Sequence, residues 1–326
     1  MESDGLPPGF TMGHHQDREG ITGCTVLLCP PEGARAAAVV RGMAASGRQM
    51  GITDHSQVVE RVNALLFTGG SAFGLDAAQG VMQYLEEQGW GFPTPHGAVP
   101  IVPTVVLYDL GLGRADCRPD GAMAYQAAQQ ARREEVDEGS VGAGTGASVG
   151  KIRGIASATK SGLGLWGQCR DNGLIVSAVA AVNAFGDIVD RDKGLIVAGA
   201  RTEATSRELV DIQQEITNGR MPTGFGRQNT TLVGVMTNGR LPEGWLRRVA
   251  HWAIDALALH IRPAFTAVDG DSLVVLTTDQ IPCEPHQVGL LAQQAVGGAV
   301  HRAIEQATPL GGLPTAAQVT PRPLVG

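Results

Sequence analysis

Thr230 heads a β-branched, apolar run, Thr230-Thr231-Leu232-Val233-Gly234-Val235-Met236, directly after Asn229 and a polar, glycine-rich approach, Thr223-Gly224-Phe225-Gly226. A hydroxyl at the first position of a strand, reached through a chain that glycine frees from the usual backbone limits, suits a bond that is to be cut. If Thr230 Oγ attacked the Asn229 carbonyl, the peptide would become an ester, and its hydrolysis would leave Thr230 as a new N-terminus. A free α-amine has a pKa of about 7.7–8.0, so it could serve as the general base that a threonine nucleophile otherwise lacks. The alternative is an ordinary strand threonine, because a short motif is weak by itself.

Other residues could join such a reaction, and each also has a plain structural reading. Asp269 and Asp271 stand one residue apart at the mouth of a strand, as turn acids or as a pair that holds a nucleophile and its base. A calcium loop is poorly supported, because Val274 and Gln280 replace the glycine and distal glutamate of that motif. Asn183 is the strongly polar residue of an apolar run over 174–185. A buried amide without partners costs about 1–3 kcal/mol, so it is a structural clamp or an oxyanion donor. Tyr108 ends another apolar segment, as core or as a hydroxyl donor. Lys151 follows a glycine-rich stretch over 141–150, but a phosphate loop would need glycine at Thr145 and Ser or Thr at Ile152. Taken alone, Lys151 reads as a solvated surface charge. Ser71 in Thr68-Gly69-Gly70-Ser71-Ala72-Phe73-Gly74 misses the hydrolase elbow pattern at Phe73 and stays a minor alternative nucleophile. His14, His15 and Asp17 fall short of the three or four ligands that a metal needs and read as loop or edge residues.

The elements that must position these groups can be read from periodicity and punctuation. Residues 22–29, ended by Pro30-Pro31, and 36–40 read as strands forming an early hairpin. A strand over 62–67 leads through the glycine turn into a helix over 75–88, where the glycines let the helix pack close to the strands or present N–H groups to an anion. Two prolines confine pairing in 99–109 to the part after Pro103. Helices are expected over 122–135, about 206–216, 242–260 (stopped by Arg262-Pro263) and 287–306, with a central strand over 174–185 and a loose proline-rich tail.

Composition bounds the class. With 326 residues, 43% of them hydrophobic, the chain is one large domain or two, and 45 glycines against 4 Trp, 3 Tyr and 7 Phe suit close backbone packing in an α/β enzyme. A net charge of −7 with no basic patch sets nucleic acid aside as a partner. Cys24, Cys29, Cys117, Cys169 and Cys283 have no metal-finger spacing and read as buried free thiols. The N-terminal residues lack a signal-peptide pattern, and no apolar run reaches the roughly 18 residues that cross a bilayer, so the expectation is cytoplasmic, without a membrane partner.

Taken in order, the blocks Thr22-Gly23-Cys24-Thr25-Val26, 68–75, 142–151, Ala181-Val182-Asn183, Asn229-Thr230-Thr231 and Asp269-Gly270-Asp271-Ser272 resemble the L-aminopeptidase/D-esterase (DmpA-type) peptidase family, and within it the nylon-oligomer (6-aminohexanoate oligomer) hydrolases. The resemblance covers most of the chain. It implies a four-layer αββα sandwich of the N-terminal-nucleophile-hydrolase type, a single domain over 1–326 cut into a large chain 1–229 and a small chain 230–326, no cofactor, and a homo-oligomer, tetramer or larger. It further implies Thr230 as nucleophile, Lys151 as the neighbour that tunes or relays its proton, Asn183 as oxyanion donor, Tyr108 as a further site hydroxyl, and Asp269 and Asp271 as the acids that orient the nucleophile. The aminopeptidase branch typically uses serine with a Ser/Glu pair, from which Thr230 and Asp269/Asp271 depart, and residues 42–48 match no block of the family. The expected activity is hydrolysis of short peptides or small aminoacyl amides through an acyl-enzyme. The rivals are an ornithine-acetyltransferase-like acyltransferase and a non-catalytic relative that keeps the fold.

Overall fold

Alternation along the strands decides which core each residue joins. The computed structural model describes residues 5–53, 58–220 and 229–324. Among these, the two larger sheets are built from Thr11–Asp17 (β1), Thr22–Leu28 (β2), Ala34–Val40 (β3), Gly47–Arg48 (β4), Arg61–Val62 (β5), Ala64–Thr68 (β6), Thr104–Val106 (β7), Leu163–Cys169 (β8), Ile175–Asn183 (β9), Thr230–Arg240 (β10) and Ser272–Pro282 (β11). One sheet runs β1-β2-β6-β7-β4 and the other β8-β9-β10-β11-β3-β5. The α-helices are Ala78–Glu87 (α1), Gly121–Gln129 (α2), Ile212–Thr217 (α3), Trp245–His260 (α4) and Pro285–Glu305 (α5).

In β9, Val176, Ala178, Ala180 and Val182 pack with α4 and α5, while Val179 and Ala181 turn inward. β10 does the same, with Val233 and Val235 toward the helices and Leu232 and Met236 inward. The inward residues meet Leu27, Leu65, Phe67 and Val105 of the other sheet. That sheet's outer face, through Val26, Leu28 and Leu66, packs against Val81 and Leu85 of α1 and Ala124, Ala127 and Ala128 of α2. Two helices, two sheets and two helices give the αββα order, and period-2 alternation lets each sheet serve two cores. β10 and β11 are parallel neighbours, which requires a crossover, and α4 supplies it.

Several expected elements differ. Residues 22–29 and 36–40 do not form a hairpin: β2 pairs with β1 and β6, whereas β3 pairs with β11 in the other sheet. β2 is buried along its whole length, so it needs a neighbour on each side, and β3 closes the far side of β11. The helix expected over 75–88 begins as a 3-10 segment, Ser71–Ala77, before α1. The helix expected over 122–135 stops at Gln129, since Arg132 and Met12 exchange backbone hydrogen bonds of 3.0 and 2.9 Å. Of 206–216 only α3 is helical, starting where Asp211 accepts from the Gln214 N–H at 3.1 Å. The tail is held rather than loose: Thr315 and Gln318 form a capping box, Leu313 and Val319 are buried, and Arg322 pairs with Ile196. Cys24 and Cys29 are buried, but Cys117, Cys169 and Cys283 are only half-buried. Among the described residues no helix is long and apolar enough to cross a membrane.

Candidate active site

The antiparallel register of β9 and β10 sets Asn183 opposite Thr230. Directly opposed residues share a face, so the last residue of one strand and the first of the next present their polar groups together at the sheet's end. Asn183 is fully buried, and its amide is tied on both sides. Its Nδ2 donates to the Tyr108 carbonyl at 2.8 Å, and its Oδ1 accepts from the Ser148 N–H at 3.2 Å and from Lys151 Nζ at 2.5 Å. Lys151 also donates to the Asn183 carbonyl at 3.1 Å. Lys151 is therefore no solvated surface charge. Burial pushes its amine down to about 7, against the pull of Asp269 and Asp109. Tyr108 is joined to this group through its main-chain carbonyl, whereas the sequence pointed to its hydroxyl.

The Asn229-Thr230 peptide lies within the protein, its residues 1% and 4% exposed. Thr230 Oγ donates to the Asn229 carbonyl oxygen at 2.5 Å, and the same oxygen accepts from the Gly270 N–H at 2.7 Å. The Asn229 N–H in turn donates to the Val268 carbonyl at 2.9 Å. Gly270 has to be glycine: a Cβ there would stand 2.7 Å from Thr230 Oγ. The glycine-rich approach over 223–226 lies outside the described residues.

Asp269 and Asp271 are buried acids of the turn before β11. Asp271 Oδ1 accepts from the Thr231 N–H at 2.7 Å and Oδ2 from the Phe265 N–H at 3.1 Å. Asp269 Oδ1 accepts from the Phe185 N–H at 3.1 Å, and its Oδ2 accepts from the hydroxyl and N–H of Thr266. One carboxylate thus ties the turn to β10 and the other to the end of β9. Burial raises both, Asp271 to about 7 with the Asp269 charge as a second cause. The unassigned segment 42–48 folds over this turn, with Ala44 N–H on the Asp269 carbonyl at 2.9 Å and Gly42 N–H on that of Asp271 at 3.3 Å.

Several buried charged residues escaped the sequence reading, Asp109 and Lys160 among them. Asp109 accepts from the Thr22 hydroxyl at 2.7 Å and from the Gly70 N–H at 2.8 Å, and burial raises its pKa. The glycine turn therefore receives a carboxylate of the protein itself, and a Cβ at Gly69 would stand 2.1 Å from Asp109 Oδ2. Lys160 is fully buried, its Nζ donating to the carbonyls of Gly144 at 3.0 Å, Ala147 at 2.9 Å and Ser161. A signal was present: the chain has only three lysines, Lys151, Lys160 and Lys193. Ser71, with φ of 55°, sits in the glycine turn, its N–H donating to the Leu107 carbonyl at 3.0 Å. His14 bonds the Thr25 hydroxyl at 3.0 Å and Asp17 caps the turn at Glu19 and Gly20, so they do not converge on one point.

Comparison with known proteins identifies the family and the fold. Residues 8–320 match Peptidase family S58. The chain is 33% identical over 337 residues, 94% of each partner, to an uncharacterised aminopeptidase of Mycobacterium tuberculosis. It is 30% identical over 280 residues, 84% of this chain and 74% of the relative, to a 6-aminohexanoate-oligomer endohydrolase of Paenarthrobacter ureafaciens. A β-aminopeptidase of Burkholderia superposes with a TM-score of 0.69 at 16% identity, covering 96% of this chain and 90% of that one. The L-aminopeptidase D-Ala-esterase/amidase of Ochrobactrum anthropi, described as a variant of the Ntn hydrolase fold, gives 0.69 at 17%, covering 95% and 89%. The chain belongs to Peptidase family S58, hydrolases of peptide and amide bonds, and has their N-terminal-nucleophile-hydrolase fold.

Proposed function

We propose that the protein cuts its own Asn229-Thr230 bond and then uses Thr230 to hydrolyse short peptides or small aminoacyl amides through an acyl-enzyme. What supports this reading is one arrangement: the Thr230 hydroxyl rests on its own upstream carbonyl, and that carbonyl is already polarised by the Gly270 N–H. Attack of Oγ on the Asn229 carbonyl carbon would place negative charge on an oxygen that has a main-chain donor aimed at it. Collapse breaks the C–N bond, leaves an ester on Oγ and frees the Thr230 amine, and water then releases the large chain 1–229 from the small chain 230–326. Before the cut, the Thr230 nitrogen is an amide and no base, so the first step needs a side chain, and we assign that role to Lys151, which is hydrogen-bonded to the Asn183 that pairs with Thr230. After the cut, the free α-amine takes that role. Asn183 has a second Nδ2 hydrogen to offer a substrate oxyanion, and Asp269 and Asp271 fix the turn against both strands.

Relatives described as an aminopeptidase and an oligomer endohydrolase support a substrate among amides of amino acids. Assembly as a homo-oligomer, tetramer or larger, and residence in the cytoplasm belong to the same proposal; five free cysteines suit a reducing compartment. Wild-type protein on a denaturing gel is expected to run as two pieces, the smaller beginning Thr-Thr-Leu-Val, and Thr230→Ala as one uncut chain of 33.9 kDa. Cleavage retained in Thr230→Ala rejects the nucleophile. A panel of aminoacyl p-nitroanilides and 6-aminohexanoate oligomers then identifies the substrate, and acyl transfer to added ornithine without hydrolysis would favour a transferase instead.

A further inference from the structure

Lys151 and Lys160 are anchored around one glycine-rich loop, and their hydrogen bonds differ in number. Lys160 donates to three acceptors, all main-chain carbonyls, of Gly144, Ala147 and Ser161. Lys151 donates to two, both on Asn183. An ammonium carries three hydrogens and no lone pair, whereas a neutral amine carries two hydrogens and one lone pair. Only the ammonium form gives each of the three carbonyls a lysine hydrogen, whereas a neutral amine would set its lone pair against one of these oxygens. Two acceptors are satisfied by the neutral amine, which keeps its lone pair uncommitted.

The surrounding charges are few. Asp109 faces both lysines, Asp269 faces Lys151 with Asp271 behind it, and Lys160 lies in the field of Lys151. Burial works against charge on both amines and pushes each down to about 7. Lys160 is fully buried and Lys151 half-buried, so burial alone does not favour the cation at Lys160; the acceptor count does. Once one site holds a cation, a second cation beside it is disfavoured, and pairs pushed apart in this way divide acid from base roles.

We propose that Lys160 is a positioning residue that holds the ammonium of this pair and thereby keeps Lys151 a neutral amine, the base for self-cleavage. The base role rests on the self-cleavage reading; the division of charge does not. In that step the proton passes from Thr230 Oγ to Lys151 Nζ as the bond from Oγ to the Asn229 carbonyl carbon forms. The proton is returned to the Thr230 nitrogen as the C–N bond breaks, so no reactant beyond the water that hydrolyses the ester is needed. Lys160 also pins the carbonyls of Gly144 and Ala147, next to the Ser148 N–H that orients Asn183.

The test uses the scarcity of lysine. The full chain labelled with 13C at the lysine ε-carbon gives three signals, assigned by Lys151→Met, Lys160→Arg and Lys193→Arg. Lys151 is expected to lose its proton near neutrality and Lys160 about one pH unit or more above it. In Lys160→Met the Lys151 titration moves up by about one unit, and the rising limb of the self-cleavage rate against pH moves up with it, while Lys160→Arg leaves both in place. A role confined to holding the loop would lower the rate without moving the limb. Lys160 deprotonating before Lys151, or an unmoved limb in Lys160→Met, overturns the proposal; should that variant not fold, the order of titration in the wild-type chain decides. Lysines that titrate in the expected order in a chain that never cuts would overturn self-cleavage and uphold the division of charge.

Discussion

Gly270 carries two duties at one atom group: its N–H meets the carbonyl to be attacked, and its missing side chain leaves room for the attacking hydroxyl. A methyl group at this position would stand 2.7 Å from Thr230 Oγ and 3.0 Å from the Ala44 carbonyl. Gly270→Ala keeps the N–H but must displace Thr230 Oγ or the 42–48 segment. Misplacement of a reacting group by about 1 Å costs on the order of a hundredfold, so a time course on denaturing gels is expected to show self-cleavage slowed by that order, with circular dichroism unchanged. Full-speed cutting in Gly270→Ala would remove the Gly270 contact from the mechanism. The same scale explains Lys151. Its sequence neighbours suggest a solvated charge, and only the fold puts Asn183 against its amine.

At the scale of elements, the site depends on β9 and β10 keeping their register, since a shift of one residue turns every side chain to the opposite face. That register is backed by helix packing on the outer face. α5 lies so close to β8 that a Cβ at Gly164 would meet the Ala299 carbonyl at 2.2 Å and the Ala303 nitrogen at 2.3 Å. Gly164→Val therefore pushes α5 off the sheet, and urea unfolding is expected to show a loss of about 1–3 kcal/mol or more. An unchanged midpoint would mean that the helix moves away without cost. The chain enters β11 from the acid turn and β10 from Asn229, and the parallel pairing of these strands is what brings Gly270 beside Thr230.

The whole molecule constrains what cutting can do. The proposed small chain supplies β10 and β11, while the large chain supplies β9 on one side of them and β3 on the other. Severing the Asn229-Thr230 bond would leave these interstrand hydrogen bonds and the cores around them in place, so the two pieces are expected to co-migrate in native sedimentation and to separate only in denaturant. A small piece that elutes alone under native conditions would contradict this pairing. Much of this architecture was legible in the residues, because strand alternation, the apolar run over 174–185 and the helices over 242–260 and 287–306 are encoded locally, and the ordered blocks carried the family and its expected residues. What only the tertiary structure decided depends on groups far apart in the chain. The partition of 22–29 and 36–40 between two sheets follows from which strands need neighbours on both sides. The charge state open to Lys160 follows from three carbonyls that no local pattern specifies. Asp109 entered through a glycine turn whose backbone, not its side chains, makes the contact, and a main-chain donor leaves no mark on the sequence.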